Sequence, residues 1–429
     1  MDDSIELSKR TRRRVAIRLM PYLFLLYIIA FLDRVNVSYA ALQMTRDLGF
    51  SDRVFGFGAG IFFVGYFLLE IPGTLIVERW SARKWIARIM ISWGILAAVT
   101  GFIRTSSQFY WIRFSLGMAE AGFFPGIIVY LSHWFRYEDR AKAVALFMSA
   151  LPLSNIIGSP FSGLILGLNW FGIAGWRWVF ILEGVPAVIF GAITIFYLTD
   201  WPREARWLRE DERQWLTNEL EQEKRLRKSV RSYSVLEAFR QRDVVLLLSV
   251  YFCTVTGYYG FTLWMPTVLQ RLSGLSDLIV TLIAVLPYLC GLAAMLLVGW
   301  HSDKTGERRW HTAIPPSVAG IGLLLGMAAG DTLAVVVAMF CIVAAAQHAY
   351  LPSFWAVPTA FLTESAAAAA IGLINSVGNL GGFLGPFLVG YVRTATGSFL
   401  GGMVFLSASL ILASILAAQI KPPVTQAAK

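Results

Sequence analysis

Four ionisable side chains lie where a hydrophobic chain has least reason to carry them: Asp33, Arg34, Arg113 and Glu120. Asp33 and Arg34 fall in Phe31-Leu32-Asp33-Arg34-Val35-Asn36; a mostly apolar stretch from Val15 leads into it, and Tyr39 to Leu42 leads out. An Asp or Arg near the middle of a membrane-spanning helix costs about 2.5–3.5 kcal/mol, so such groups face a protein interior or a watery cavity and usually work there. Arg113 and Glu120 repeat the pattern in a later apolar run. Their spacing puts both on one face of a helix, about 10.5 Å apart along its axis. Asp33 and Arg34 are about 100° apart around theirs, so at most one points straight into a central cavity while the other lies on its wall.

The chemistry open to this set is the binding of a small organic anion together with the movement of protons. Arg34 and Arg113 can each present a planar fork of N–H donors to a carboxylate, a geometry that lysine cannot reproduce. Ionised, Asp33 and Glu120 make poor ligands for an anion. As proton carriers they fit, because protonating one frees an arginine for substrate and deprotonating it restores the internal pair. Tyr66, Tyr258, Tyr259, Asn375 and Asn379 could bond substrate hydroxyls or pack against its body. Glu70 reads as a packing or gate acid and Glu183 as a structural partner for nearby basic groups. His348, beside Gln347, reads as a packing residue, and His133, His301 and His311 fall at loop edges. No nucleophile–base grouping, metal-ligand spacing or glycine-rich phosphate loop is present, which argues against an enzyme, a metal site or an organic cofactor; protons are the expected coupling ion.

The elements that must position these groups are membrane helices. The chain is 57% hydrophobic and 15% charged, with a mean hydropathy of +0.62, whereas soluble chains carry nearer a quarter charged residues. Twelve apolar stretches are long enough to cross about 30 Å of hydrocarbon: 16–40, 55–77, 85–103, 107–131, 142–168, 177–199, 243–269, 279–300, 310–328, 332–361, 367–392 and 398–419. The net charge of +10 comes from basic residues between these stretches and not from a basic face interleaved with aromatics, so nucleic acid is not an expected partner. Basic clusters before the first stretch, at Arg79 to Lys84, at Arg136 to Lys142, in 203–242 and at Lys304 to Arg309 all fall on one side of an alternating chain. Both termini are therefore expected in the cytoplasm, with the first helix retained as a helix rather than cleaved as a leader. The polar segment 201–242 reads as a cytoplasmic linker between a first bundle, 1–200, and a second, 243–429. Cys253, Cys290 and Cys341 stand singly and read as packing residues.

The two halves echo each other. Glu78-Arg79-Trp80-Ser81-Ala82-Arg83-Lys84 follows the second stretch, and Asp303-Lys304-Thr305-Gly306-Glu307-Arg308-Arg309 follows the eighth, at a constant offset of 225 residues. Gly158-Ser159-Pro160 and Leu384-Gly385-Pro386 recur at an offset of 226. At the first offset Asp33 maps to Tyr258, Arg34 to Tyr259, Arg113 to Ala338 and Glu120 to Ala345, so the charge lies in one half and the aromatic and amide groups in the other. Paired repeats around a midplane site describe a secondary transporter.

The second loop segment, Gly299 through Arg309, resembles the signature loop of the major facilitator superfamily, and the first copy matches it with Thr74 and Ser81 where glycines are usual. Over nearly its whole length the chain is similar to the anion:cation symporters, bacterial carriers of tartrate, phthalate, hydroxyphenylacetate and sugar acids among them. The most specific matches are Phe31 to Asn36, Gly65-Tyr66 to Glu70 and Pro72, Arg113 through Gly126, Asp200 to Leu208, Gly257 to Gly260 with Trp264 and Pro266, and Asn375 to Gly382. The resemblance implies an all-α membrane protein of twelve transmembrane helices in two pseudo-symmetric six-helix bundles. It implies proton-coupled uptake of a small organic carboxylate across a bacterial inner membrane, with acids at Asp33 and Glu120 coupling and the flanking arginines binding substrate. The loop residues Glu78, Arg79, Arg83, Asp303, Lys304 and Arg308 are expected to hold the inward-closed state. A monomer in contact with lipid is expected. An organic-anion exchanger or a proton-driven efflux antiporter is the alternative, although two intramembrane arginines disfavour cationic cargo.

Overall fold

A backbone that crosses hydrocarbon has no water to bond and must satisfy its polar groups internally. This chain does so with helices, and no strand occurs among the described residues. The structure is a computed structural model that describes residues 2–227, 242–330, 332–361 and 364–420. The first half runs α1 (Asp2–Asp47), α2 (Asp52–Arg79), α3 (Ala82–Thr100), α4 (Ser106–Glu120), α5 (Phe123–Ser132), α6 (Tyr137–Met148), α7 (Ala150–Leu166) and α8 (Gly175–Tyr197). In the linker lies α9 (Glu210–Arg227), and residues 228–241 fall outside the described set. The second half runs α10 (Arg242–Ser273), α11 (Asp277–Ile283), α12 (Val285–Thr305), α13 (Arg309–Ala328), α14 (Leu333–Ala349), α15 (Leu351–Phe361), α16 (Glu364–Asn379), α17 (Gly381–Thr396) and α18 (Leu400–Ala417).

Among the described residues eleven spans are long and apolar enough to cross a membrane. The remaining crossing is α3, which carries Arg83, Lys84 and Arg88 in its first two turns and packs between α8, α4 and α5. The first helix is far longer than the apolar stretch that predicts it, 46 residues from Asp2. Its basic opening contains no helix breaker and stays wound because acids of α9 receive it. Arg10 Nε lies 2.9 Å from Glu212 Oε1 and Arg14 Nη1 2.5 Å from Glu212 Oε2.

Five crossings are interrupted among the described residues; the eighth breaks between α11 and α12 without a counterpart in α2, and the other four breaks match between the halves. The fourth crossing breaks between α4 and α5 and the tenth between α14 and α15; the fifth breaks between α6 and α7 and the eleventh between α16 and α17. Broken helices are tolerated in a bilayer where they line a cavity. The break after α4 needs glycine. Gly122 has φ +85, and a Cβ there would stand 3.2 Å from the Trp85 indole nitrogen. That turn leaves Glu120 as the last residue of α4.

The halves meet most tightly at the end opposite α9. There α2 lies against α17 with almost no side chain between them: a Cβ on Gly56 would fall 2.4 Å from the Pro386 carbonyl oxygen. Small residues at such a crossing let backbones approach where no hydrophobic effect drives helices together. Arg271 clasps Asp52 there with two bonds of 2.8 and 2.6 Å. Ser159 Oγ of α7 donates to the Thr281 carbonyl oxygen of α11.

Candidate functional site

On the α9 side of this seal the halves diverge around a cavity of about 780 Å³, its mouth included. Its wall is aromatic and amide on the second half, with Tyr251, Tyr258 and Tyr259 of α10, Gln347 of α14, Trp355 of α15 and Asn375 and Asn379 of α16. On the first half it is Tyr27, Phe31 and Arg34 of α1, Tyr66 of α2 and Glu120 of α4. The residues that are expected to bind substrate come together here from four helices, with one exception.

Arg34 is the cation on that wall. Its Nη2 donates to Glu120 Oε1, and Nη1 reaches Tyr259 OH at 3.4 Å. Its guanidinium carbon lies 5.0, 5.6 and 5.3 Å from the ring centres of Phe31, Phe62 and Tyr66, aromatic faces that favour a desolvated cation. Nε of Arg34 and Oε2 of Glu120 make no hydrogen bond. Donor and acceptor capacity is therefore left over on both members of the pair.

Asp33 points the other way. It accepts from the indole N–H of Trp93 on α3 at 2.5 Å and from Asn36 Nδ2 at 3.0 Å, and it does not line the cavity. This is the 100° separation of neighbouring residues made concrete.

Arg113 is the exception. Its guanidinium is buried behind Phe62, 5.0 Å from the ring centre, and it does not line the cavity. The packing of α4 on α2 keeps this expected substrate ligand off the cavity wall in this structure. The space beside Gly117 on that face holds α2: a Cβ on Gly117 would stand 1.9 Å from the Phe62 carbonyl oxygen. Nε and Nη1 of Arg113 have no hydrogen bond, and the anions acting on it are Asp33 and Glu120. Arg113 thus lies within electrostatic reach of both acids without an ion pair or hydrogen bond to either.

Three further acids and the loop groups complete the picture. Asn375 Nδ2 donates to Glu70 Oε1 at 2.5 Å, tying α16 to α2 beside the cavity. Glu183 pairs with no basic group among the described residues, against expectation; Ser162 Oγ donates to it at 2.7 Å. Asp200 accepts from Ser81 Oγ at 2.7 Å and the Arg83 backbone N–H at 2.9 Å, with Arg83 Nε 3.7 Å away. In the other loop Arg308 holds Asp303 at 2.6 Å and Ser302 Oγ at 2.9 Å, and Lys304 lies 5.1 Å from the Trp300 ring centre. These groups bond within their own half. The side chains of Glu78 and Arg79 lie outside the described set.

The major facilitator superfamily model matches residues 23–386. The chain belongs to the major facilitator superfamily. A "Putative tartrate transporter" of Agrobacterium vitis is 47% identical over 412 residues, spanning 96% of this chain and 94% of that one. A "Quinolone resistance transporter" of Acinetobacter baumannii is 35% identical over 415 residues, spanning 96% and 95%. The crystal structure of a bacterial homologue of the human lysosomal transporter Spinster, inward-facing, matches with a TM-score of 0.74 over 96% of each chain at 19% identity, a likeness of fold alone. This superfamily member is an integral membrane transporter and not an enzyme.

Sequence reasoning did not place Gln347 on the cavity wall. It is 3% exposed, it lines the cavity, and neither Nε2 nor Oε1 has a hydrogen-bond partner. A buried amide with both atoms unsatisfied costs about 1–3 kcal/mol unless something bonds it. The available signal was an amide inside an otherwise apolar helix. Gln347→Leu is expected to weaken binding of a hydroxylated acid about tenfold and that of an unhydroxylated acid of similar size by less than twofold, read from competition for uptake.

Proposed function

We propose that the chain carries a small organic carboxylate across a bacterial inner membrane together with protons, by alternating access. The observation that carries this reading is the Arg34–Glu120 pair on the cavity wall. A protonated Glu120 releases its hold, and the freed guanidinium takes a substrate carboxylate in a bidentate clamp. Tyr259, Tyr66, Tyr258, Asn375, Asn379 and Gln347 then surround the body of the substrate, whose hydroxyls would meet their amides and phenols. A tartrate-like hydroxy acid, an aromatic acid or a sugar acid suits such a wall, and the 47% identical relative favours the first.

Two six-helix bundles, 1–200 and 243–429, rock about this site, with 201–242 linking them. Both termini and the linker are placed in the cytoplasm by the positive-inside rule. The cavity faces that side, so the loop groups Arg83, Asp303, Lys304 and Arg308 are held here in reserve; they engage partners when this side closes. The chain works as a monomer in lipid, with protons as the coupling ion.

The efflux or exchange alternative draws on the quinolone-resistance relative. Purified protein in proteoliposomes separates the readings. Under an inward proton gradient, labelled tartrate or a sugar acid is expected to accumulate above its equilibrium level. Extrusion under the same gradient supports the antiporter, and counterflow without any response to the gradient supports the exchanger.

A further inference from the structure

Glu183 is a buried carboxyl that this transport scheme leaves idle. It sits on α8, 3% exposed, and no ion pair reaches it among the described residues. Ser162 Oγ of α7 donates to its Oε1, while Oε2 makes no hydrogen bond. The titratable groups facing it are Asp33 and Tyr39, both on α1, and Asn36 interacts with it from the same helix. From α3, Gly94 packs on Gly184 beside it.

Asn36 stands between two acids. Its Nδ2 is committed to Asp33 Oδ1 at 3.0 Å, and its Oδ1 has no donor. Two acceptors, Glu183 Oε2 and Asn36 Oδ1, are thus stranded in apolar protein. A proton on Glu183 would supply the donor that this cluster lacks. Two carboxylates joined by one amide also resist ionising together.

The placement of the pair gives that proton a direction. Trp176 Nε1 bonds Asp47 at 2.9 Å, so the start of α8 and the end of α1 lie together, opposite α9. Counted from that end, Glu183 is about 12 Å deep and Asp33 about 21 Å deep. Ser162 is flanked by Ser159, which bonds the Thr281 carbonyl oxygen, and by Gly163, where a Cβ would fall 1.9 Å from Thr281 Oγ1. The α7–α11 seam that closes this end therefore lies beside Glu183's own donor. Alternating access requires that seam to part.

We infer that Glu183 loads the coupling proton from the side opposite the linker and passes it to Asp33. This rests on the proton-coupled reading above. Glu183 rests protonated. When the seam opens, its proton moves to the Asp33 carboxylate, leaving Asp33 neutral and Glu183 anionic, and admitted water returns one proton to Glu183. Asn36 holds the two carboxyls in register.

Glu183→Gln tests this, because the amide keeps the shape, can accept from Ser162 and can donate to Asn36. The variant is expected to keep the wild-type melting temperature and gradient-free substrate exchange within about twofold. Accumulation under an inward gradient of one pH unit is expected to fall about fivefold or more, the uptake rate to lose its dependence on external pH, and Glu183→Asp to recover part of both. Wild-type accumulation and pH profile in Glu183→Gln would overturn the inference, as would an equal loss of exchange and accumulation. Wild-type protein is run alongside: if it fails to accumulate substrate under the gradient, the proton-coupled reading itself has failed.

Discussion

Arg34→Ala is expected to abolish measurable substrate binding, a loss of about 100-fold or more, while the protein still folds. The guanidinium lies on the cavity wall, and no other basic residue lines it among the described residues. A charge-assisted hydrogen bond to a carboxylate contributes about 1.5–3 kcal/mol, and a two-pronged clamp contains two. Every 1.4 kcal/mol is tenfold in affinity. Removing one member of a buried ion pair can destabilise by about 3–5 kcal/mol when the other charge is stranded. Here Glu120 can escape that penalty by taking a proton, so the melting temperature should drop at low proton activity more than at high. Arg34→Lys is the sharper variant: it keeps the charge and loses the fork. Binding measured by scintillation proximity or calorimetry should fall at least tenfold for Lys and below detection for Ala. Unchanged affinity in both would remove Arg34 from the site.

How much of this was legible beforehand differs between residues for physical reasons. Helices were legible because hydrophobic length is a strong constraint in a bilayer, and Asp33, Arg34, Arg113 and Glu120 stood out because charge in such a helix needs a reason. The angle between Asp33 and Arg34 also followed from helix geometry. Which of the two faces the cavity did not, since it depends on where Trp93 of α3 offers its N–H. Arg113 shows the limit most clearly. Its helix face could be deduced, but the neighbour covering that face could not: Gly117 leaves room there, and α2 fills it. Gln347 escaped for the opposite reason. An unsatisfied amide is defined by what fails to surround it, and a sequence records no such absence. The full length of α1 depended on Glu212, distant in sequence, receiving Arg10 and Arg14.

Glu120→Gln should keep substrate exchange and lose proton-driven accumulation. On the proposed reading, Glu120 and the substrate compete for Arg34, which Glu120 holds in this structure, and a proton on Glu120 decides which has it. Glutamine imitates the protonated acid permanently: it holds no charge against the guanidinium, so the carboxylate can bind and be exchanged without a gradient. What it cannot do is change state between the two sides. Each proton carried down a gradient of one pH unit supplies about 1.36 kcal/mol, a tenfold concentration ratio. Against a membrane potential of 100 mV, each uncompensated negative charge entering the cell costs about 2.3 kcal/mol. Loss of one coupled proton therefore removes about tenfold of accumulation from the pH gradient. With a potential imposed as well, a further factor of roughly 50 goes, because the substrate charge that proton neutralised now moves against the field. Proteoliposomes holding Glu120→Gln should therefore equilibrate substrate and stop there, with counterflow at wild-type rate. Accumulation equal to wild type would place the coupling elsewhere and leave Glu120 as a structural counter-ion for Arg34.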